Sequence, residues 1–322
     1  MKAAIRNSLF GFNLAFKSDQ PEPKFCHKGS KQVLIQVQAG AINPVDYKLP
    51  KAVAGAVLGI DFCGTIKQVG DQVKDFKVGD LVFGGTSGSL ADFTVTESSK
   101  IAKVPTHGWT AAEAAALPVA YQSCLQGLRK GGVVPVVDKQ AKESVLVIGA
   151  SGGCGLAALQ LCKAMKIPRI VAICSGKNKD LVTSHGATEM VDYTIKDELK
   201  TFFGKNQGTI DCVFDVATGS GDGEDYIARS LQIIKPQFGK YVALNGPATS
   251  WLRAFTGLEN SNQRIILCEH NTKDLLTVVS LLDSIQAKPL LDKKEFNENS
   301  VAEGYEMLKS RRTKGKIVFT MA

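Results

Sequence analysis

The rhythm of hydrophobic and polar positions changes along this chain, and the change divides it. Over residues 1–104 the apolar positions come in short runs broken by turns. VLIQVQAGAI (33–42) alternates in part, while DLVFGG (80–85) and ADFTVTE (91–97) alternate clearly. A period of two predicts strands with one buried face, and Gly-Asp at 70–71 and 79–80 supplies turns between them. MKAAIRNSLFGFNL (1–14) reads as the first strand of this β-rich part. AAEAAALPVAYQSCLQGL (111–128) is Ala-rich and helical, interrupted at Pro118, which predicts a connector into the second half.

From 145 to about 268 strands and helices take turns. Strand candidates are 145–149, 170–174, 188–192, 210–216, 240–245 and 264–268; helix candidates are 153–166, 178–185, 196–204 and 223–234. This alternation predicts a doubly wound parallel sheet, whose ligand crevice lies at the strand carboxyl ends. Val216 and Leu244 fall at such ends and are cofactor-binding candidates. Beyond them come amphipathic helices at 272–287 and 299–310 and a last strand, KIVFT (316–320). The expected domains are 1–118 with 270–322, and 119–269.

The densest chemical signal is VLVIGASGGCG (145–155), a continuous apolar run entering a glycine turn and leaving as a helix. Glycine permits the tight turn and close approach of a phosphate, and free N–H groups at the helix start favour an anion. Ser151, Gly152, Gly153 and Cys154 are the candidates for a pyrophosphate; the alternative is a Gly-rich connection without a ligand. After the second strand, Cys174-Ser175-Gly176-Lys177-Asn178-Lys179 carries no acid before Asp180. A site for NAD normally has one there to accept the ribose 2′-hydroxyl. Ser175, Lys177 and Asn178 instead suit a 2′-phosphate, which points to NADPH. Helix-start surface charge is the alternative for Lys177 and Lys179. Tyr193 could reach the same phosphate or be a strand-end aromatic, and Lys314 could approach the cofactor or sit in a surface turn.

Composition narrows the field. The chain has 322 residues, 44% hydrophobic and 22% charged, values typical of a globular protein with room for two domains. Its net charge of +8 is spread out, with small clusters at Lys177/Lys179, Lys293/Lys294 and Arg311–Lys316, and no nucleic-acid-binding motif accompanies it. No apolar run is long enough to span a bilayer and no secretory pattern opens the chain, so a cytoplasmic location is expected. The eight cysteines include no CxxC pair and no zinc-ligand spacing; they read as reduced, mostly buried thiols.

NPVD (43–46), G-x-D-x-x-G (59–64), VGDLVFG (78–84), AALPVA (115–120), GASGGCG, HGATEMVDY (185–193) and GKIVF (315–319) stand in an order that resembles the zinc-free medium-chain dehydrogenase/reductase superfamily. The resemblance covers nearly the whole chain and looks closest to the quinone oxidoreductase branch, which includes alkenal/enone reductases. It implies an α/β fold, a Rossmann domain with a GroES-like β-rich partial barrel. It also implies an NADPH cofactor and homodimers joined through an edge strand, for which 264–268 is the candidate. Zinc-dependent members carry Cys where this chain has Asn43 and Gly-His-Glu where it has Gly59-Ile60-Asp61, so no metal is expected. Lys48 and Asn43 match polar cleft residues, and Ser123 matches a threonine facing the nicotinamide. AYQS (120–123) departs from the family pattern by placing Tyr121 where glycine is common. The stretch YKLPKAVAGAVL (47–58) is shorter than the family's loop, which implies a more open site.

The chemistry so implied is hydride transfer to a quinone or an α,β-unsaturated carbonyl, with charge developing on the acceptor's oxygen. Asn43, Tyr47 and Tyr121 are the expected donors to that oxygen, Asn43 first. The four histidines lie in unrelated contexts and read as structural or surface residues. An NADPH-binding scaffold, crystallin-like or RNA-binding, is the alternative from another class.

Overall fold

The computed structural model describes residues 1–7, 12–48, 56–134, 144–217 and 225–321. They form two compact units. Met1–Gln122, His270–Thr277 and Lys288–Ala322 make the first, and Ser123–Glu269 with Val278–Ala287 the second. Val278–Ala287 thus belongs to the second unit, whereas 270–322 was assigned whole to the first. Val278 and Leu282 are fully buried there.

The first unit begins with β1 (Ala3–Arg6), β2 (Leu14–Lys17), β3 (Gln32–Ala41), α1 (Pro44–Lys48) and β4 (Ala56–Val57). It continues through β5 (Asp61–Val69), β6 (Leu81–Gly85), β7 (Phe93–Glu97), β8 (Ile101–Lys103) and α2 (Ala111–Ala115) into α3 (Pro118–Lys130). The interruption expected at Pro118 is real: α2 ends before it and Pro118 opens α3, where its missing N–H costs nothing. A reciprocal Thr110–Glu113 capping box starts α2.

The second unit adds β9 (Ser144–Ile148), α4 (Gly153–Ala164), β10 (Arg169–Cys174), α5 (Lys179–Ser184), β11 (Glu189–Asp192) and α6 (Lys196–Lys205). Then come β12 (Cys212–Asp215), α7 (Tyr226–Ile233), β13 (Lys240–Ala243), α8 (Ala248–Thr256) and β14 (Gln263–Ile265). The chain closes with α9 (Thr272–Ser284), β15 (Leu291–Glu295), α10 (Glu298–Lys309) and β16 (Lys316–Thr320). Neither α8 nor β15 was expected. LDKKE of β15 carries too many charges to read as a strand, and it forms one by pairing along β16 in register Asp292↔Ile317.

In the first unit a seven-stranded sheet runs β15-β16-β3-β5-β6-β8, with β7 also on β3. β3 meets β5, β7 and β16 antiparallel, and its pairing with β5 shifts register at Leu34/Ile35 and Val37/Ala39. Such bulges bend a sheet, and Val33, Ile35, Val37, Phe62, Ile66, Val82 and Ile101 form one buried cluster of this unit. A smaller sheet, β2-β1-β4, completes the β-rich unit.

The second unit's sheet is wholly parallel, in order β11-β10-β9-β12-β13-β14. Every residue of β9 (SVLVI) is buried, as a strand covered on both faces requires. The strand order reverses between β9 and β12, so the crevice opens at the carboxyl ends of those two strands. The glycine turn follows β9 there. β11 and β14 are the sheet's edges.

Candidate functional site

The glycine turn is built by close approach. Gly149 takes a left-handed φ of 79°, and its N–H donates to the Ile173 carbonyl at 3.1 Å. A Cβ at Gly155 would collide with the Gly149 carbonyl oxygen and the Ala150 backbone, so only glycine lets α4 start this near β9. Gly152 is the reverse case. It caps α4 without a side chain, and a Cβ there would meet nothing nearer than the Gly149 oxygen at 3.7 Å. Ser151, Gly152, Gly153 and Cys154 are all half-buried. The structure therefore leaves room for an anion where the α4 N–H groups converge. Val216 and Leu244 follow β12 and β13, and their N–H groups donate to Ile148 and Asp215 carbonyls at 3.0 and 3.1 Å.

At the end of β10, Ser175 precedes a short 3-10 turn, Gly176–Asn178. Lys177 is exposed, and Asn178 is 7% exposed with its Oδ1 lacking any hydrogen-bond partner. The Tyr193 N–H donates to the Cys174 carbonyl at 3.3 Å, so Tyr193, 39% exposed, stands beside Ser175. These four candidates are brought together. So is a residue the sequence reading missed. The parallel register puts Asp192 opposite Cys174, and its carboxylate lies against Gly176, whose N–H it accepts. Burial alone would raise the Asp192 pKa. Hydrogen bonds from the Thr194 hydroxyl (2.7 Å), the Thr194 N–H (2.9 Å) and Gly176 outweigh it and hold the carboxyl below its usual range. An acid thus stands beside the Ser175–Asn178 turn, supplied by the third strand rather than the second.

In the first unit the expected donor Asn43 has other partners. It is 3% exposed; its Nδ2 donates to Asp61 Oδ2 at 2.8 Å, and its Oδ1 accepts from Lys316 Nζ at 2.5 Å. Lys316 Nζ also reaches Asp61 Oδ2 at 2.9 Å and the Ile42 carbonyl at 3.1 Å. The other Asp61 oxygen accepts the Val119 N–H at 2.8 Å. The α1 turn, β5, β16 and the start of α3 are thereby pinned by one buried cluster. Both ends of the Asn43 amide are thus bonded inside the protein. Nothing in spacing could reveal this, because 43, 61 and 316 meet only through sheet pairing.

Tyr121, in α3, is 2% exposed and packs in the core. Ser123 is buried at 5%. Tyr47, half-buried at the end of α1, packs edge-on against Phe12, with ring centroids 6.1 Å apart. Lys48 is brought low in pKa by partial burial and then by the charge of Arg311, so the 311–314 turn lies near it; Lys314 itself is exposed. A further unforeseen residue is His270. Its ring packs on Gly85, its Nδ1 bonds Gln122 Oε1 at 2.9 Å, and burial lowers its pKa. The part of 47–58 that covers 49–55 lies outside the described residues.

A reversing parallel sheet with a glycine turn at its switch point, in one chain with a β-rich partial barrel, defines a class: a two-domain oxidoreductase on a dinucleotide-binding fold. Residues 29–118 match the alcohol dehydrogenase GroES-like domain and 185–319 match the zinc-binding dehydrogenase domain. The chain is 33% identical over 306 residues to the 2-methylene-furan-3-one reductase of Solanum lycopersicum, covering 89% of this chain and 71% of that protein. It is 31% identical over 294 residues to the chloroplast envelope quinone oxidoreductase homolog of Arabidopsis thaliana, covering 85% and 84%. It is also 31% identical over 306 residues to the NADPH-dependent alkenal/one oxidoreductase of the same plant, covering 89% and 71%. The quinone oxidoreductase structure from Coxiella burnetii superposes with a TM-score of 0.79 at 22% identity, over 100% of this chain and 99% of that one. The chain belongs to the medium-chain dehydrogenase/reductase superfamily, among its quinone oxidoreductase homologues and alkenal/enone reductases.

One matched domain is described as zinc-binding, and the residues here do not fit that ion. Asn43 and Asp61, standing where the zinc-dependent pattern has Cys and Glu, are held by the Lys316 ammonium, a fixed cation in contact with both, and Ile60 stands where it has His. Among the described residues no three His, Cys, Asp or Glu side chains stand together as a ligand set.

Proposed function

We propose that this protein is an NADPH-dependent reductase of quinones or α,β-unsaturated carbonyls that works without zinc. The observation that carries the reading is the open glycine turn at the β9–β12 switch point, with Ser175, Lys177, Asn178 and Tyr193 gathered at the neighbouring strand end. The first-turn N–H groups of α4 would hold the pyrophosphate, and Ser175, Lys177 and Asn178 the 2′-phosphate. Val216 and Leu244, at the following strand ends, would line the rest of the cofactor's path. When bound, NADPH supplies the hydride delivered to the electron-poor carbon of the acceptor.

The chain's own task is then to meet the charge that develops on the acceptor's oxygen. A hydroxyl aimed there stabilises an enolate or hydroquinone anion. With Asn43 and Tyr121 committed to the interior, Tyr47 is the donor that remains, since no hydrogen bond occupies its hydroxyl among the described residues. Lys48, low in pKa, would bind polar groups of the cofactor, and Ser123 would act through the packing of α3. Names of relatives support the acceptor class: they are a furanone reductase, an alkenal/one oxidoreductase and a quinone oxidoreductase homolog.

The decisive experiment is NADPH oxidation against simple quinones, 2-alkenals and cyclic enones, with product identification. Saturated carbonyls or hydroquinones are expected. Oxidation of none of them by protein that binds NADPH would favour the scaffold reading. Elemental analysis should find no stoichiometric zinc.

A homodimer is part of the same proposal. The outer edge of β14 has no partner strand among the described residues, and Leu252, Phe255 and Leu258 beside it are 64%, 72% and 72% exposed. An open edge flanked by apolar side chains suits a second copy of the chain. Sedimentation should give twice the chain mass, and Phe255→Glu should lower it.

A further inference from the structure

The glycine turn carries a thiol that cofactor binding does not require. Cys154 is the second residue of α4, half-buried, in the first turn of that helix. Behind it lies Cys124 on α3, in the same unit and wholly buried. The Cys124 thiol donates to the Cys154 carbonyl oxygen at 3.1 Å and touches the Cys154 side chain. Two further sulfurs, Cys162 and Cys268, stand close by, and of these only Cys268 is partly accessible.

We propose that Cys154 and Cys124 form a reversible disulfide, which makes the glycine turn a modification site for hydrogen peroxide. The two sulfurs differ in the way such a pair needs. Cys154, half-buried, can be reached by a small oxidant, whereas Cys124 cannot. Burial pushes the Cys124 thiol up, so it stays protonated until an oxidised sulfur is presented to it. In the first step the Cys154 sulfur attacks one oxygen of hydrogen peroxide, the O–O bond breaks, and the leaving hydroxide takes the Cys154 proton as water. Cys154 is now a sulfenic acid. In the second step the Cys124 sulfur attacks that sulfur, the S–O bond breaks, and the Cys124 proton leaves with the hydroxide as a second water. One hydrogen peroxide is reduced by two electrons, and two thiols become one disulfide.

The cross-link would draw the first turn of α4 toward α3 and alter the N–H cradle. Oxidised protein would therefore bind NADPH more weakly, and bound NADPH would shield Cys154. The link itself depends only on the two sulfurs; its effect on NADPH rests on the function proposed above.

The test is peroxide treatment of the whole protein, followed by blocking of free thiols and peptide mass mapping. A 124–154 linked peptide that disappears on reduction, and forms more slowly with NADPH present, is expected. Linkage of Cys154 to Cys268 instead, or oxidation of Cys154 to the sulfinic acid with Cys124 still blocked as a thiol, would overturn the proposal. Cys124→Ala should keep its untreated NADPH affinity and lose the reductant-reversible fall in affinity that peroxide causes in the parent. If that variant fails to fold, the mapping of the unaltered protein still decides. A link that forms without any change in NADPH affinity would sustain the modification site and count against the reading of the turn as a phosphate cradle.

Discussion

Lys316 Nζ lies 2.9 Å from Asp61 Oδ2, with the two side chains 6% and 0% exposed. The pair joins the last strand of the chain to β5, and it is closed off by Asn43 and the Val119 N–H. Removing one member of such a pair leaves the other charge buried and uncompensated. Lys316→Met should therefore destabilise by about 3–5 kcal/mol, read as a fall in the urea midpoint. A loss within experimental error would mean that the cluster is not what holds these strands.

Asn43→Ala follows from the same geometry. It removes two buried hydrogen bonds, one of them to an ammonium, and should destabilise by about 2–4 kcal/mol. Turnover per folded molecule should change little. A large drop in kcat at unchanged melting temperature would restore Asn43 as a donor to the acceptor's oxygen.

Two glycines of one turn should respond differently. Gly155→Ala places a Cβ on the Gly149 carbonyl oxygen and should cost stability, by about 1–3 kcal/mol as for other overpacked sites. Gly152→Ala has space for its methyl in the structure and should fold normally. That methyl stands in the cradle, so NADPH affinity measured by calorimetry should fall. Equal melting temperatures for the two variants would refute the steric account.

Ser175→Ala with Lys177→Ala should raise the Michaelis constant for NADPH and leave that for NADH nearly unchanged. Hydrogen bonds to charged groups are worth about 1.5–3 kcal/mol each, roughly tenfold or more in affinity. Equal losses for both cofactors would remove the 2′-phosphate assignment. Asp192 gives this experiment a second arm. Asp192→Asn keeps an acceptor for Gly176 and Thr194 and removes a negative charge beside the loop, so preference for NADPH over NADH should rise.

His270 supplies a pH dependence with a definite sign. Burial lowers its pKa, the Lys100 charge lowers it further, and Asp61 opposes both. The folded state then favours the neutral ring. The stability this gives is full above the unfolded value, about 6.5, and is lost as pH falls from there toward the folded pKa. Melting temperature should decline on acidification below about pH 6.5, and His270→Gln should flatten that decline. An unaltered profile in the variant would assign the decline to other groups.

The two halves of the fold were legible because their signals are local. β9 reads as a buried strand from VLVI alone, the glycine turn from its own seven residues, and the break at Pro118 from one ring. Charged β15 and helix α8 were not legible: β15 exists through pairing with β16, and α8 buries none of its residues. Within the candidate site the same division holds. Ser175, Lys177 and Asn178 are consecutive enough to be read together, whereas Asp192 joins them only through the β10–β11 register.

By itself, then, the sequence determined the strand–helix alternation of the second half, the place of the glycine turn and the hydroxyl, amide and lysine after the second strand. Backbone torsion and hydrophobic period act over a few residues, and a few residues carry them. The tertiary structure alone decided that Asn43 is bonded at both ends of its amide, that Tyr121 is core, and that Lys316 stands between Asn43 and Asp61. It also brought Asp192 under Gly176 and Cys124 against Cys154. Those relations join residues 16 to 273 positions apart, and only strand register and helix packing set which polar groups are buried face to face.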